Sequence, residues 1–506
     1  MKLIFVASDF SGLGKGVFSA SLAKILRDNN INARIMKSDL YFNYDAGTIN
    51  PQEHGEVYVL ADGTEVDQDF GIYERFLNIE SSSKDYITSG RLFHQIYLNE
   101  REGKYLGQTV STEHIINEYK RVFTNFAKTC DVGIIELGAT VGDLKGQYVL
   151  ECARQLQSTF VLLSYMPFLQ CVGELKTMGV QRSVQTLRSK GITPNILILR
   201  TENITDIPDY NFSKLELYCE TGKDSVYVLP DVSSEYVIPD YLVKQKFHHK
   251  IEKILDIKLD DIKSLSKVPK PLSIQQMSTV LQDTVQHSVK DYNIVLLGKY
   301  SHDDAYKSII EQLHFIGITK ISFKSKLSIK DTNTIDAAII PGGWGKRGTE
   351  NIISSITLLR ENNIPTLGIC LGLQLMVVEY TRKVLNIPAN SSEFSNIGTK
   401  VVDLQENQEG LRKGGTARLG NWTTLLTEGS KVSKFYKSNI IVQRHRHRYE
   451  VQEFDYKDFK ITGRDKHTDL IEVMELEGRK FHIGVQFHPE FCLGNSPLFK
   501  HLVCSI

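Results

Sequence analysis

Short apolar runs, each followed by a segment with helical spacing, recur along the first half of the chain. They occupy residues 3–7, 132–137, 159–165 and 196–200. Runs with apolar residues on both faces predict strands buried on both faces, as in the centre of a parallel sheet. Their alternation with helical segments predicts an α/β fold, with a doubly wound parallel sheet over residues 1–262.

A polar segment with two prolines separates this region from a second one. We expect residues 263–285 to form a linker, because proline and polar residues dominate them. Further apolar runs follow in YNIVLLGKY, DAAIIPGG, PTLGIC and FHIGVQFHPE. They predict a second α/β domain over residues 286–506.

Composition narrows the classes of partner. The chain has 60 Lys plus Arg and 60 Asp plus Glu among 506 residues, so its formal net charge is zero. We therefore expect neither nucleic acid nor an acidic membrane surface as a partner. Seven cysteines without a CxxC pair fit neither a zinc site nor a disulfide framework, which favours reduced thiols and a cytoplasmic location. The apolar run at the N-terminus is too short for a signal peptide, and no run is long enough to span a membrane.

A cysteine in the second region has the surroundings of a nucleophile. Cys370 follows a predicted buried strand and is flanked by Gly368 and Gly372, which is typical of a nucleophile elbow. An isolated cysteine is more often a structural residue. Here, however, His488 could accept the thiol proton and Glu490 could orient the imidazole. A glycine turn in AAIIPGGWG could supply N–H groups for an oxyanion hole.

The order glycine turn, cysteine elbow, histidine-x-glutamate resembles the class I glutamine amidotransferases. The resemblance implies that Cys370 attacks the glutamine amide, that His488 is base and then acid, and that Glu490 orients His488. It also implies a set of residues that bind glutamine or stabilise the oxyanion: Gly343, Leu371, Gln374, Glu393 and Arg448.

A glycine-rich segment, SGLGKG, follows the first predicted strand and opens a helix. Its glycines would let backbone N–H groups approach phosphates, and Lys15 would add a positive charge. The segment lacks the full Walker A pattern, so by itself it is equally consistent with a structural turn.

The surrounding segments resemble CTP synthases. The similarity is carried by IMKSDLYFNYDAGTINPQEHGEVYVLADGTEVDQDFGIYERF and IIELGATVGD, and it extends over both regions in order. It implies that Mg²⁺ is held by Asp69 and Glu136, two carboxylates of the kind Mg²⁺ prefers beside phosphate oxygens. It also implies a set of ATP-binding residues: Gly12, Leu13, Gly14, Lys15, Gly16, Val17, Lys37, Asp69, Arg200, Asp231 and Val232.

The reaction implied by this resemblance has three steps. ATP phosphorylates the 4-oxygen of UTP, glutamine is hydrolysed to ammonia, and ammonia displaces the phosphate to give CTP. The residues implied to contact UTP or CTP are Ser11, Asp143, Lys145, Lys176, Gln181 and Lys214. The resemblance also implies a homotetramer and GTP as a possible activator, although an arginine expected for GTP activation is not evident around residues 414–420.

The acceptor positions depart from the family pattern. Met178 stands where a lysine is expected, Ser111 replaces a glutamine, and Lys145 replaces a glutamate. Losing a lysine from a phosphate clamp costs roughly ten- to hundredfold in affinity unless Lys145 or Arg182 compensates. Three alternatives follow: amination of UTP, a paralogue that aminates another oxo-pyrimidine or 4-oxo heterocycle, and a non-catalytic assembly protein.

Overall fold

The computed structural model describes residues 2–202, 207–232, 234–259, 292–300, 303–408, 410 and 412–506. The chain divides into two compact units, Met1–Asp45 with Ile72–Val268 and Ala46–Gly71 with Pro269–Ile506. The segment 46–71 thus belongs by its contacts to the second unit, although it lies inside the first predicted domain. The predicted linker, residues 263–285, lies outside the described residues, so its boundaries stay predictions.

The first unit contains a seven-stranded sheet in which every neighbouring pair is parallel. The four predicted apolar runs form four adjacent strands of this sheet, which confirms the doubly wound α/β prediction. From one edge to the other the strands are Val226–Pro230, Ile196–Thr201, Thr159–Tyr165, Lys2–Ser8, Val132–Thr140, Ala33–Asp39 and Tyr86–Thr88.

Helices connect these strands. The central strand Lys2–Ser8 is buried from its second residue onward, because neighbouring strands flank it and helices cover the sheet. The chain leaves each parallel strand at the same edge of the sheet, which is where ligands bind in such folds. The helices of this unit are Lys15–Asp28, Ser89–Arg101, Thr112–Ala127, Gln147–Gln155, Met178–Arg188, Asp209–Cys219, Ile238–Lys244 and Phe247–Leu255.

The second unit contains a nine-stranded mixed sheet. Five parallel strands come first, and four antiparallel strands extend them. The predicted strands form most of the parallel part. In order across the sheet the strands are Lys320–Lys324, Asn293–Leu297, Ala337–Ile340, Thr366–Ile369, His482–Val485, Ile471–Leu476, Phe459–Asp465, Arg418–Leu426 and Ile440–His447.

Other elements complete this unit. Its helices are Lys307–Phe315, Thr349–Glu361, Leu371–Lys383, Lys431–Tyr436 and Pro497–Cys504, and a smaller sheet joins Ala389–Ser391, Thr399–Leu404 and Tyr449–Val451. Within the described ranges, no helix combines the length and the apolar character needed to cross a membrane.

The segment 46–71 adds a short helix, Pro51–His54, and a hairpin of Val57–Val59 with Glu65–Asp67, and a further helix, Asp69–Leu77, begins at its end. Polar contacts attach it to the rest of the second unit. The guanidinium of Arg444 donates to the Tyr58 hydroxyl at 2.8 Å, and that of Arg446 donates to the Glu65 carboxylate at 2.7 Å.

Candidate active sites

Cys370 lies between the strand Thr366–Ile369 and the helix Leu371–Lys383. Its φ of 53° and ψ of −105° are costly for a residue with a side chain, and such strain is typical of a nucleophile elbow. A Cβ at Gly372 would collide with the Ile340 carbonyl, so only glycine permits this tight passage. The sharp turn leaves the thiol at the edge of the sheet, where the Arg446 carbonyl is 3.6 Å from Sγ.

His488 is held by three neighbours. Its Nδ1 is hydrogen-bonded to Oε1 of Glu490 at 2.8 Å, and its backbone N–H donates to the Arg444 carbonyl at 2.8 Å. The imidazole stacks on Phe491 with ring centroids 5.0 Å apart. The ring therefore has a fixed orientation, with Nε2 remaining for a proton transfer.

The protonation of His488 is set by opposing effects. Burial disfavours the imidazolium, but the Glu490 carboxylate and the interaction with Cys370 outweigh it and raise the pKa of His488 to about 10. The thiol of Cys370 therefore lies beside an imidazole whose protonated form is stabilised by Glu490.

A pocket in the second unit opens at these residues. The segment 46–71 contributes to its wall, and the guanidinium of Arg446 lies over the Trp344 ring at 5.6 Å. The residues that line it around the thiol are Cys370, His488, Glu490, Gly342, Gly343 and Trp344, with Glu56 and Arg446 nearby. No sequence motif described above marks Glu56, Trp344 or Arg446 as site residues.

Glu393 contacts the glycine turn beside this pocket. Its carboxylate accepts a hydrogen bond from the Gly345 N–H at 2.6 Å, and burial raises its pKa. Lys299 binds the same turn through the Trp344 and Gly345 carbonyls, and burial lowers the pKa of Lys299 to about 8. The turn is therefore fixed by one acid and one base.

The other predicted glutamine-binding residues are placed differently. Gln374 is buried and donates to the Tyr449 carbonyl at 2.9 Å. Arg448 donates to the Gln408 amide oxygen at 2.5 Å and to the Lys413 carbonyl. Arg446, two residues earlier in the same basic run, lines the pocket instead. Alternation along a strand does not separate two residues that are two positions apart, and the strand Ile440–His447 ends between these arginines.

Leu371 and Gly343 approach one another at the elbow, since a Cβ on Gly343 would lie 3.3 Å from the Leu371 side chain. Their backbone N–H groups thus belong to neighbouring segments, as an oxyanion hole requires.

A second pocket lies in the first unit. It is lined by the glycine turn and by residues from the far end of the sheet, including predicted ATP-binding residues: Gly12, Leu13, Gly14, Val17, Arg200, Asp231 and Val232. Gly12 and Gly14 have φ of 78° and 82°, which glycine adopts without strain. The helix Lys15–Asp28 starts here without a side-chain cap, so its first N–H groups suit a phosphate.

Apolar side chains that were not predicted as site residues also line this pocket. Phe18, Leu229 and Ile238 line it. Nothing in their local sequence distinguishes them from core residues. Arg200 donates to the Asp231 carboxylate at 2.8 Å, and burial lowers the pKa of Arg200.

The basic residues near the glycine turn have hydrogen-bond partners. Lys15 donates to the Ser8 hydroxyl at 3.0 Å. Lys37 lies 3.5 Å from the buried Glu136 carboxylate, which also accepts a hydrogen bond from the Tyr73 hydroxyl. Gly16 is buried in the first turn of the helix.

The two predicted metal ligands lie on elements that are far apart in the sequence. Glu136 lies in the strand Val132–Thr140, and Asp69 is the first residue of the helix Asp69–Leu77. Both offer the hard oxygen ligands that Mg²⁺ prefers, and one or two carboxylates are its usual protein ligands. Among the described residues, no group of three or more His, Cys, Asp or Glu is arranged to hold a metal ion. The magnesium site at Asp69 and Glu136 therefore stays a prediction.

The predicted acceptor residues follow the carboxyl ends of the strands. Ser11 lies in the glycine turn, and Asp143 accepts a hydrogen bond from the Thr140 N–H at 3.0 Å. Lys145 is exposed. Gln181 is buried in the helix Met178–Arg188 and donates to the Thr177 hydroxyl at 3.0 Å.

The remaining acceptor positions are accessible. Lys176 pairs with Glu174, and Lys214 lies over the Tyr210 ring at 5.3 Å. Ser111 precedes the helix Thr112–Ala127. Met178 is 56% exposed.

Two family models match the two regions of the chain. Residues 2–257 match the family model CTP synthase N-terminus, and residues 301–503 match glutamine amidotransferase class-I. CTP synthase of Thermosipho africanus is 40% identical over 535 residues, covering 99% of this chain and 97% of that protein. CTP synthase of Thermotoga maritima is 39% identical, covering 97% and 95%.

A solved structure is also similar. The glutaminase domain of Trypanosoma brucei CTPS with bound acivicin is 30% identical, with a TM-score of 0.39, over 42% of this chain and 93% of that one. The family models and the full-length relatives together establish that the chain belongs to the CTP synthase family of glutamine-hydrolysing ligases.

Proposed function

We propose residue roles for the reaction of this family, the ATP-dependent amination of UTP to CTP with nitrogen from glutamine. The two family regions and the full-length relatives support this activity. The observation that carries the proposal is the arrangement of Cys370, His488 and Glu490, whose hydrogen bond and charges hold an imidazolium beside the thiol.

In the glutaminase half, the Cys370 thiolate attacks the amide carbon of glutamine. The oxyanion that forms is stabilised by the N–H groups of Gly343 and Leu371. His488 gives its proton to the leaving nitrogen, which departs as ammonia, and the neutral imidazole then takes a proton from the water that cleaves the thioester. Glu490 stabilises the imidazolium, while Gln374, Glu393 and Arg448 hold the substrate directly or through the turns they contact.

In the synthetase half, ATP occupies the pocket of the glycine turn. Lys15 and Lys37 neutralise its phosphates, with Arg200, Asp231 and Val232 toward the base. Mg²⁺ held by Asp69 and Glu136 would offset the phosphate charge during transfer. ATP phosphorylates the 4-oxygen of the pyrimidine, ammonia adds at C4, and inorganic phosphate leaves.

The acceptor in this proposal is UTP, bound through Ser11, Asp143, Lys145, Lys176, Gln181 and Lys214. A second candidate is another oxo-pyrimidine nucleotide or 4-oxo heterocycle. It is favoured by Met178, an exposed residue without a charge at the start of the helix Met178–Arg188. A purely structural role is disfavoured, since a strained cysteine beside a buried His–Glu pair serves no packing purpose.

Further properties belong to the same proposal. By resemblance we expect a homotetramer and a cytoplasmic location, with GTP as a possible activator. The arginine of the segment 414–420, Arg418, is buried and paired with Asp465 at 2.7 Å and with Glu472. Arg418 therefore stabilises the fold of this region, and its guanidinium would have to leave these ion pairs to contact a nucleotide.

The test is amination by the purified chain with ATP, Mg²⁺ and ammonium, with UTP and other oxo-pyrimidine nucleotides and free bases offered separately. Mass spectrometry of the products identifies the acceptor. We expect UTP to gain one nitrogen in place of oxygen and to form CTP. Amination of a different acceptor, with UTP unchanged, would contradict the proposal and favour the second candidate.

A further inference from the structure

The turn after the first strand carries an acid that none of the roles above uses. Asp9 directly follows the strand Lys2–Ser8, and its carboxylate accepts three hydrogen bonds. The donors are the Ser164 hydroxyl, the Ser183 hydroxyl at 3.0 Å and the Tyr165 N–H at 3.3 Å. Burial raises the pKa of Asp9, as expected for a carboxylate withdrawn from water.

The three donors come from two elements. Ser164 and Tyr165 end the strand Thr159–Tyr165, whereas Ser183 lies in the middle of the helix Met178–Arg188. Asp9 therefore ties the turn to that helix through a side chain, and charge-assisted hydrogen bonds of this kind are roughly twice as strong as neutral ones. The same helix carries Gln181, one of the residues assigned to the acceptor.

The residue before Asp9 faces the nucleotide lysine. The Ser8 hydroxyl accepts from Lys15 at 3.0 Å and donates to the Phe10 carbonyl at 2.7 Å. Phosphate oxygens are stronger acceptors than a hydroxyl for an ammonium group, so a bound polyphosphate competes with Ser8 for Lys15. Ser8 and Asp9 are adjacent, so the contact with Lys15 and the contact with Ser183 come from one two-residue segment.

We propose that Asp9 is a positioning residue that couples the phosphate turn to the helix Met178–Arg188, so that ATP and the acceptor favour each other's binding. Such coupling is reciprocal by thermodynamic necessity. Its assignment to the acceptor rests on the function proposed above. The link between the turn and the helix rests only on the contacts of Asp9.

The first test follows the helix itself. Hydrogen–deuterium exchange of peptides covering residues 178–188 is measured with and without Mg²⁺ and a non-hydrolysable ATP analogue. We expect the analogue to slow exchange in the unaltered chain, and we expect this response to be lost in Asp9→Asn and in Ser183→Ala. The coupling is refuted, whichever acceptor the protein uses, if the analogue does not change exchange in the helix. It is equally refuted if the variants respond to the analogue like the unaltered chain.

A matched control is available in the same helix. Thr186 is also half-buried, but its hydroxyl donates only to the Arg182 carbonyl one turn away. Thr186→Ala should therefore keep the full response to the analogue. If it loses the response as well, the effect belongs to the helix in general and the role of Asp9 is refuted.

Kinetics with ammonium separate this inference from the proposed function. Asp9→Asn and Ser183→Ala should each raise KM for UTP about three- to tenfold at saturating ATP, with kcat changed less than about twofold. The KM for UTP of the double variant should be no higher than that of the more impaired single variant, since both substitutions break the same contact. Multiplying effects would contradict the coupling, whereas absence of UTP amination by the unaltered chain would contradict only the proposed function.

Discussion

The two candidate sites hold their charged groups in different ways. In the second unit, the imidazole of His488 is bound to Glu490, and Glu393 is bound to the Gly345 N–H, all of them buried or nearly so. In the first unit, Lys15 donates to the neutral Ser8 hydroxyl, and Lys145 is exposed. A site that reacts through its own side chains needs them oriented beforehand, whereas a site for polyphosphate needs cations that ligand oxygens can engage.

This difference implies that mutations in the two sites should separate nitrogen release from nitrogen use. Changes in the glutaminase site should spare synthesis from ammonium. Changes in the nucleotide site should stop synthesis from either nitrogen source. The following predictions test that separation, beginning with the largest expected effect.

Removing the nucleophile should give the largest loss. Cys370→Ala should reduce glutamine hydrolysis at least about 10⁴-fold, because the thioester cannot form. Synthesis from ammonium should stay within about twofold. Both rates are measured in parallel, with Cys504→Ala as the control because Cys504 is a half-buried thiol outside the pocket. Glutamine hydrolysis by the Cys370 variant would show that the nucleophile is misassigned.

Removing a metal carboxylate should affect both nitrogen sources. Asp69→Asn should reduce synthesis with glutamine and with ammonium roughly 10²- to 10³-fold, since the phosphoryl transfer that precedes both loses charge neutralisation. Asp62→Asn, in the hairpin turn where the carboxylate accepts from Thr64, is the control. Synthesis from ammonium that survives Asp69→Asn would exclude the metal role.

Neutralising Glu490 should change a pH profile. Glu490 raises the pKa of His488 to about 10, so without its charge the burial effect dominates and that pKa falls. The imidazolium is then lost at lower pH, and the alkaline limb of kcat/KM for glutamine moves to lower pH in Glu490→Gln. We also expect about a hundredfold lower rate near pH 8. An unmoved alkaline limb, with Glu453→Gln as the exposed control, would show that another group controls the titration.

Adding a lysine at the acceptor helix should have the smallest effect. If UTP is the acceptor, Met178→Lys should lower its KM about tenfold, the effect of one charge-assisted contact with phosphate. Val172→Lys adds the same charge at a residue with the same 56% exposure, and it should leave KM unchanged. Equal effects of both variants would indicate general attraction of anions. An unchanged KM for UTP with Met178→Lys would show that the acceptor site does not need this lysine.

Much of the parallel architecture could be predicted from local sequence. Residues 3–7 and 159–165 carry apolar residues on both faces because the strands are buried on both faces, and that pattern does not depend on the rest of the chain. Cys370 could be identified for a similar reason, since a glycine-flanked turn between a strand and a helix is a local feature. The antiparallel strands were missed because Arg444 and His445 in Ile440–His447 are buried polar residues that no hydrophobic pattern marks.

Sequence motifs identify the reacting residues of the glutaminase site, but they do not identify all the residues that line its pocket. Cys370, His488 and Glu490 can be identified from their motifs, but the motif does not show that Arg446 lines the pocket. Whether Arg446 or Arg448 lines it depends on which arginine lies within reach of the turn at Trp344, and that distance is fixed by packing between strands far apart in sequence. Glu56 was missed for the same reason, because it reaches the pocket from the segment 46–71.

The sequence by itself determined the order of strands and helices, the cysteine elbow, the phosphate turn and the family, because each depends on residues close together in the chain or on similarity over its whole length. The tertiary structure decided that residues 46–71 pack with the second unit, that Arg446 lines the pocket beside the thiol, and that Asp9 joins Ser183. These are contacts between residues tens to hundreds of positions apart. They form only when buried surfaces and hydrogen-bonding groups from separate segments are satisfied together, which no local pattern records.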